Sequence, residues 1–287
     1  MLDWLIEPLS FEFMRNAIAV GISLGILGAV VGSYLIVQQM GMIAEVIAHS
    51  VLPGISIAFF LGINLSIGAF ITGILSAFCI AGIEARSRVK VDAAMALILT
   101  SFLGLGIILI TVLGTTNIDL THILFGDILG VRPTDVWQTL IITLLVLALV
   151  KLFYKELLFY TFDPLGAQAS GLPVKAMYIG LICAITLTII ASVQTVGVLL
   201  VIALLIGPAV TAYLLVSELH QMMILGSIFG TISSVSGMYI SYHQNLPSGA
   251  AIVMVIFSLF ILAFLFSPSQ GMLTERKVLR KLRRFLK

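Results

Sequence analysis

Residues 41–60 read GMIAEVIAHSVLPGISIAFF, a run in which a glutamate, Glu45, and a histidine, His49, stand among almost wholly apolar neighbours. As a helix the run is long enough to cross a hydrocarbon core of ~30 Å, which takes ~20 residues. Four positions apart, Glu45 and His49 would share one helix face, a turn from each other. What a carboxylate and an imidazole do there depends on whether the rest of the chain is equally greasy.

It is. Of 287 residues, 60% are hydrophobic and 10% charged, and the mean hydropathy is +1.20, whereas a soluble domain carries roughly a quarter charged residues. A single water-soluble core cannot absorb that much apolar surface, so the bilayer is the expected solvent. Runs long enough to span it are read at 16–37, 43–61, 65–84, 93–113, 136–154, 176–193, 195–216, 222–242 and 249–267. The expected fold class is therefore all-α: a polytopic membrane bundle of about eight or nine crossings, since only helices or closed barrels span lipid. The lower count holds if the LPG of residues 52–54 breaks the second run or makes it re-entrant. No linker or repeat divides the chain, which reads as one domain over 1–287, with a bundle at 11–267 and a basic tail at 268–287.

Basic residues set the orientation. Arg86, Arg88 and Lys90 share one short loop, and Lys151, Lys155 and Lys175 flank another. Arg276, Lys277, Arg280, Lys281, Arg283, Arg284 and Lys287 crowd the tail. The loop after the fourth crossing instead holds Asp119, Asp127 and Asp135 against Arg132. The positive-inside rule puts the basic segments, and with them the C-terminus, in the cytoplasm and the acidic loop outside. Nine crossings close this alternation with the N-terminus outside. The N-terminal stretch lacks the basic region of a cleavable leader, so the whole chain is expected to be mature protein. The tail reads as a topology anchor or as a helix lying on the anionic leaflet.

Small residues recur at four-residue spacing, Gly21 with Gly25, Gly28 with Gly32 and Gly226 with Gly230, which lets helix backbones approach closely in lipid. Pro53 and Pro208 interrupt apolar runs, and each is expected to bend or break its helix, either as a hinge along a pathway or as a tolerated kink.

Two readings of Glu45 and His49 stand side by side. The pair satisfies itself by a hydrogen bond and steadies the helix, or it offers mixed oxygen and nitrogen ligands to a divalent ion such as Mn²⁺, Fe²⁺ or Zn²⁺. Two ligands from one helix leave a coordination shell incomplete, and a second copy of the chain could supply the rest. Other ionisable candidates have simpler accounts. His122, beside Asp119 and Asp127, reads as part of a solvated acidic loop; His220 with Glu218, and His243, read as ordinary loop residues. Asp92 suits the positive end of the helix it begins. Cys79 and Cys183 fall in apolar runs, without metal-site or disulfide spacing.

Catalytic motifs are missing: no GxxxxGK[ST] loop, no HExxH and no serine elbow occurs. A gradient-driven carrier would need ionisable residues in several crossings, and an intramembrane enzyme would need convergent catalytic groups at depth. The seven acidic residues between positions 84 and 163 fall in loops or at helix ends.

Residues 155–176, KELLFYTFDPLGAQASGLPVKA, form the longest basic-side connection. Asp163-Pro164 reads as a helix start with Pro164 at its first position, and Gly171 followed by Pro173 reads as its stop. A short helix between sharp stops is either a docking element or a plain loop.

Taken with three other stretches, this connection resembles the membrane permease of the ABC-3 family of metal-uptake ABC transporters, the manganese/zinc/iron type. The four stretches are FEFMRNAIAVGISLGILGAVVGSYLIVQQM (11–40), MIAEVIAHSVLPGI (42–55), TFDPLGAQASGLPV (161–174) and LLVIALLIGPAVTAYLL (199–215). The resemblance implies a non-enzymatic subunit of the bacterial cell membrane, a homodimer around a central pathway, with no resident cofactor and no nucleic-acid partner. It implies cytoplasmic ATPase subunits that bind the ATP, and an extracytoplasmic metal-binding protein that delivers the ion. The family's acidic-x-x-x-His pattern falls on Glu45 and His49 as metal ligands. Its coupling stretch falls on Asp163, Pro164, Ala169, Gly171, Leu172 and Pro173. The chain departs from the pattern where the acidic position is more often Asp, and where Gln38 and Gln39 occupy places often basic. SVLPG after the histidine favours the manganese branch. With membrane lipid as solvent, the expected cargo is a divalent transition metal, manganese first, with zinc and iron as alternatives.

Overall fold

The computed structural model of the chain describes residues 2–113, 126 and 128–267. Among them the elements are α1 (Leu2–Ser10), α2 (Glu12–Val37), α3 (Gly41–Leu61), α4 (Leu65–Arg86) and α5 (Val91–Val112). A 3₁₀ turn (Ile128–Gly130) leads into α6 (Pro133–Leu152), α7 (Tyr154–Phe162), α8 (Pro164–Ala169), α9 (Val174–Tyr213), α10 (Leu219–Gln244) and α11 (Ser248–Phe266). His122, Asp119, Asp127 and the basic tail lie outside the described residues. Among the described residues nine helical segments are long and apolar enough to cross a membrane, and they match the runs read from sequence to within a few residues. The fold is an all-α polytopic membrane bundle, in which the helix satisfies every interior backbone group that lipid cannot.

Helix α2 is the axis of the bundle, with Val20, Leu27, Val31, Tyr34 and Leu35 fully enclosed. Its glycines explain why. A Cβ on Gly25 would lie 2.7 Å from the carbonyl carbon of Gly230 on α10, and one on Gly28 would lie 2.7 Å from the carbonyl oxygen of Leu204 on α9. One small-residue stripe thus serves two neighbours in turn, at a separation that only glycine permits. The outward faces of α5, α6 and α11 carry Leu97, Ile108, Ile141, Leu144 and Phe257, an apolar belt suited to lipid.

The forty residues of α9 are two crossings. Gly197 has φ 78° and ψ 161°, a region open essentially to glycine alone, and the chain reverses there. Thr188 and Ser192 line one small cavity with Val201, Leu204 and Leu205, although residues 188 and 204 would be ~24 Å apart on a straight helix. Pro53 and Pro208 do not break their helices; both lie within regular helix. Close neighbours cover each gap: a Cβ on Gly106 would stand 3.2 Å from Pro53 Cδ, and one on Gly226 3.4 Å from the Pro208 carbonyl oxygen.

The crossings sort the loops into two ends. One end carries Arg86, Arg88, Lys90, Lys151, Lys155 and Lys175 in its loops and helix termini. It is tied together where Gln38 Nε2 donates to Thr161 Oγ1 at 3.1 Å and Ser267 Oγ donates to the Leu214 carbonyl. At the opposite end Glu7, Met14, Leu129 and Tyr242 line a single cavity, and Gly126 rests on the Val196–Gly197 turn. The helix α1 and the separate helix α7 are not anticipated by the sequence reading, which assigns no element to residues 1–10 and runs the fifth crossing to residue 154.

Candidate functional site

Helix α3 holds Glu45 and His49 on the face that the four-residue spacing predicts, both half-buried. Glycines draw its neighbours in. A Cβ on Gly68 of α4 would lie 2.8 Å from Ala58 Cβ, and one on Gly106 of α5 would lie 2.8 Å from Leu52 Cβ. The upper half of α3 is therefore clamped, while its lower half leaves Met42 exposed and Glu45 and His49 partly open.

The self-satisfied reading of the pair does not describe this geometry. His49 Nδ1 is buried without a hydrogen-bond partner. Among the described residues Glu45 and His49 make no hydrogen bond to each other. Ser50, fully buried on the next position, also has an unpartnered hydroxyl. An unmet nitrogen and hydroxyl at membrane depth each cost on the order of 1–3 kcal/mol. Pro53 adds to this. It lies on the same face, and because it has no N–H, the carbonyl of His49 four residues earlier loses its usual helical donor. Among the described residues no three His, Cys, Asp or Glu side chains come together in a way that could hold a metal ion, so at this place one chain brings no more than Glu45 and His49.

Further along the chain, after α4, α5, α6 and α7, the DP…GLP stretch forms the short helix read from its punctuation. Asp163 caps α8 by accepting from the Gly166 N–H at 2.8 Å, and Pro164 takes the first position. A Cβ at Gly166 would collide with the Asp163 carboxyl, so glycine is what admits the cap. At the far end Gly171 has φ 83°. The Gly171 N–H donates to Gln168 and the Leu172 N–H to Ala167, both at 3.0 Å, the paired bonds of a glycine helix stop. Ala169 closes the helix, and Pro173 caps α9 as its preceding residue. Sequence reading misses Leu165, an apolar side chain 78% exposed at the tip of α8 beside Phe162. An exposed leucine on a six-residue helix outside the bundle is the signal for it. Behind the helix, Tyr160 is buried, and burial, then the nearby Glu84 carboxylate, push its phenol above its ordinary range.

The other singled-out residues are placed as follows. Glu218 and His220 pair at 3.3 Å, both more than half exposed. His243 lies in the last turn of α10, not in a loop, edge-on to Tyr242 at 5.1 Å. Asp92 stands in the first turn of α5. Cys79 and Cys183 are free. Pro53 and Pro208 occupy separate helices, and only Pro53 shares a face with the Glu45–His49 pair.

A family model described as ABC 3 transport family matches residues 10–267. The chain belongs to the ABC-3 family. It is 44% identical over 269 residues to a protein called manganese transport system membrane protein MntC in Listeria monocytogenes, covering 94% of this chain and 96% of that one. It is 36% identical over 267 residues to one called probable iron transport system membrane protein in Haemophilus influenzae, covering 93% and 98%. Among solved structures, PsaBC from Streptococcus pneumoniae in complex with Fab superposes with a TM-score of 0.86 at 38% identity, covering 98% of this chain and 99% of that one. The ABC-3 membership makes the chain a transport permease, and the nine apolar segments among the described residues make it multi-pass.

Proposed function

We propose that the chain is the permease of an ATP-driven importer that carries a divalent transition metal, manganese first, into the cytoplasm. In this reading residues 1–287 act as one domain, two copies pair around a central path, and each contributes Glu45 and His49. The observation that carries the proposal is the half-buried Glu45–His49 face with its unpartnered imidazole nitrogen. A carboxylate and a neutral imidazole are a mixed oxygen–nitrogen set that suits Mn²⁺, Fe²⁺ and Zn²⁺ alike. The manganese names among relatives of high coverage favour Mn²⁺.

The basic end lies in the cytoplasm by the positive-inside rule, which puts α8 where partner ATPase subunits can reach it. Asp163, Pro164, Ala169, Gly171, Leu172 and Pro173 build that contact, and Leu165 is its apolar knob. ATP-driven closure of the partners pushes α8 and rocks the two copies, with Pro53 and Pro208 as the positions where α3 and α9 yield. An extracytoplasmic metal-binding protein loads the ion from the opposite end, at the bacterial cell membrane. No ATP site is needed in this chain. The second reading is an iron importer, favoured by the relative from Haemophilus influenzae.

Cellular uptake of radioactive manganese tests the reading. Glu45→Ala and His49→Ala are each expected to abolish uptake at matched expression, with the assembled complex still binding ATP. Uptake at the wild-type rate in both variants removes the pair from the path. Competition by iron or zinc in the wild type separates the cargo readings.

A further inference from the structure

The outer wall of the bundle carries a groove of about 460 Å³ between α6 and the first half of α9, at the basic end. Val146, Val150 and Phe153 form one side, and Met177, Ala184 and Leu187 the other. Along α9 the lining runs from Pro173 to Leu187, about 21 Å at 1.5 Å per residue, which is longer than one leaflet's share of the ~30 Å hydrocarbon core. Gly180 lies on its floor, and a Cβ built there meets nothing within 4 Å, so the space is open. One side chain that carries charge lines it: Glu156, half-buried on α7. Among the described residues its carboxylate has neither an ion-pair nor a hydrogen-bond partner.

We propose that this groove binds a phospholipid whose headgroup ends in a primary ammonium, with one acyl chain laid along α9 and the ammonium on the Glu156 carboxylate. The charge of the lining makes the choice. A carboxylate in an apolar slot repels an anionic headgroup and receives no N–H from a quaternary choline. A primary ammonium gives it a charge-assisted hydrogen bond. Lys151, Lys155 and Lys175, all exposed at the same end, leave positive charge nearby for the lipid phosphate. Leu172 and Pro173, which follow α8, form part of the wall, so the seated chain braces the root of that helix. The inference does not depend on which ion the protein carries.

The test is lipid retention by the assembled transporter, extracted from vesicles holding equal fractions of phosphatidylethanolamine, phosphatidylcholine and phosphatidylglycerol, with bound lipid counted by native mass spectrometry. Phosphatidylethanolamine is expected to be retained about fivefold over phosphatidylcholine, the worth of one partly solvated ion pair. Glu156→Gln should bring it down to the phosphatidylcholine level. Gly180→Phe, at a position with room for a side chain, should displace all three lipids. Equal retention of the two zwitterionic lipids by the wild type overturns the proposal, as does an ethanolamine preference that survives Glu156→Gln. Undiminished lipid in Gly180→Phe puts the bound molecules elsewhere and overturns it too. Should Glu156→Gln fail to assemble, the wild-type headgroup comparison and Gly180→Phe decide.

Discussion

Gly171 offers a perturbation of α8, the helix proposed to meet the ATPase subunits, with almost no steric component. Its φ of 83° lies in the left-handed region, and an added Cβ would meet no atom within 4 Å. Whatever a substitution does there, it does through the backbone. An L side chain in that region costs about 1–2 kcal/mol, with valine at the upper end and asparagine well below it. The helix has little to lose. With six residues it is far shorter than the ~12–15 at which an isolated helix holds in water, so its two ends carry it. The Asp163 cap is worth ~1 kcal/mol, and the Gly171 stop holds two hydrogen bonds of 3.0 Å. Removing the stop therefore shifts the folded-to-frayed ratio of α8 by about tenfold, the equivalent of 1.4 kcal/mol. Reconstituted with its ATPase partners in liposomes, Gly171→Val should hydrolyse ATP at a near-normal rate yet move about tenfold less metal per ATP. Gly171→Ala should fall between, and Gly171→Asn should sit close to the wild type. Metal entry and phosphate release, measured in the same vesicles, give the ratio directly. If Asn does as much damage as Val, or Val leaves the ratio intact, the left-handed stop is not what transmits the stroke.

Three further predictions concern packing and the site. Gly25→Leu drives a side chain into the backbone of Gly230, where a mere Cβ already stands at 2.7 Å, and should cost about 3 kcal/mol; Gly82→Ala, with open space around it, should stabilise α4 by up to ~1 kcal/mol. Thermal unfolding in detergent reads both, and a melt for Gly25→Leu at the wild-type temperature contradicts the close α2–α10 crossing. Pro53→Ala returns an N–H to the His49 carbonyl, so the melting temperature should rise while metal uptake slows. Unchanged uptake takes Pro53 out of the moving parts.

What could be read in advance follows a physical divide. Membrane runs are legible because lipid demands ~20 apolar residues at a stretch, and the α8 helix is legible because its capping aspartate, first-turn proline and terminal glycine are local chemistry. The parting of α9 into two crossings is read as well, since the runs 176–193 and 195–216 divide at Gln194; that the turn falls at Gly197 is not, because a glycine's backbone conformation leaves no mark on hydropathy. Helix α7 hides for a different reason, its aromatic and lysine mixture reading as an interface loop. The short α1 helix carries Pro8 in its interior, an interior-proline signal that argues against helix. In the site, spacing alone puts Glu45 and His49 on one face. Yet only the packed structure leaves the imidazole nitrogen unmet, because that depends on what α4 and α5 bring near it.

The incompleteness of that site in one chain is itself a physical argument for the paired arrangement proposed above. A divalent ion beside a single glutamate leaves a net charge of +1 at membrane depth, where a lone charge costs several kcal/mol. Two copies of Glu45 supply two negative charges to one divalent ion, and two copies of His49 add neutral nitrogen without upsetting the balance. Neutrality thus needs both chains, and a rocking motion that parts them breaks the charge balance and the ligand shell in one movement. A cage of four ligands within one chain would stay closed through that motion and hold its ion. In the proposed pairing, dividing the ligands between copies would make release a consequence of the motion that drives transport.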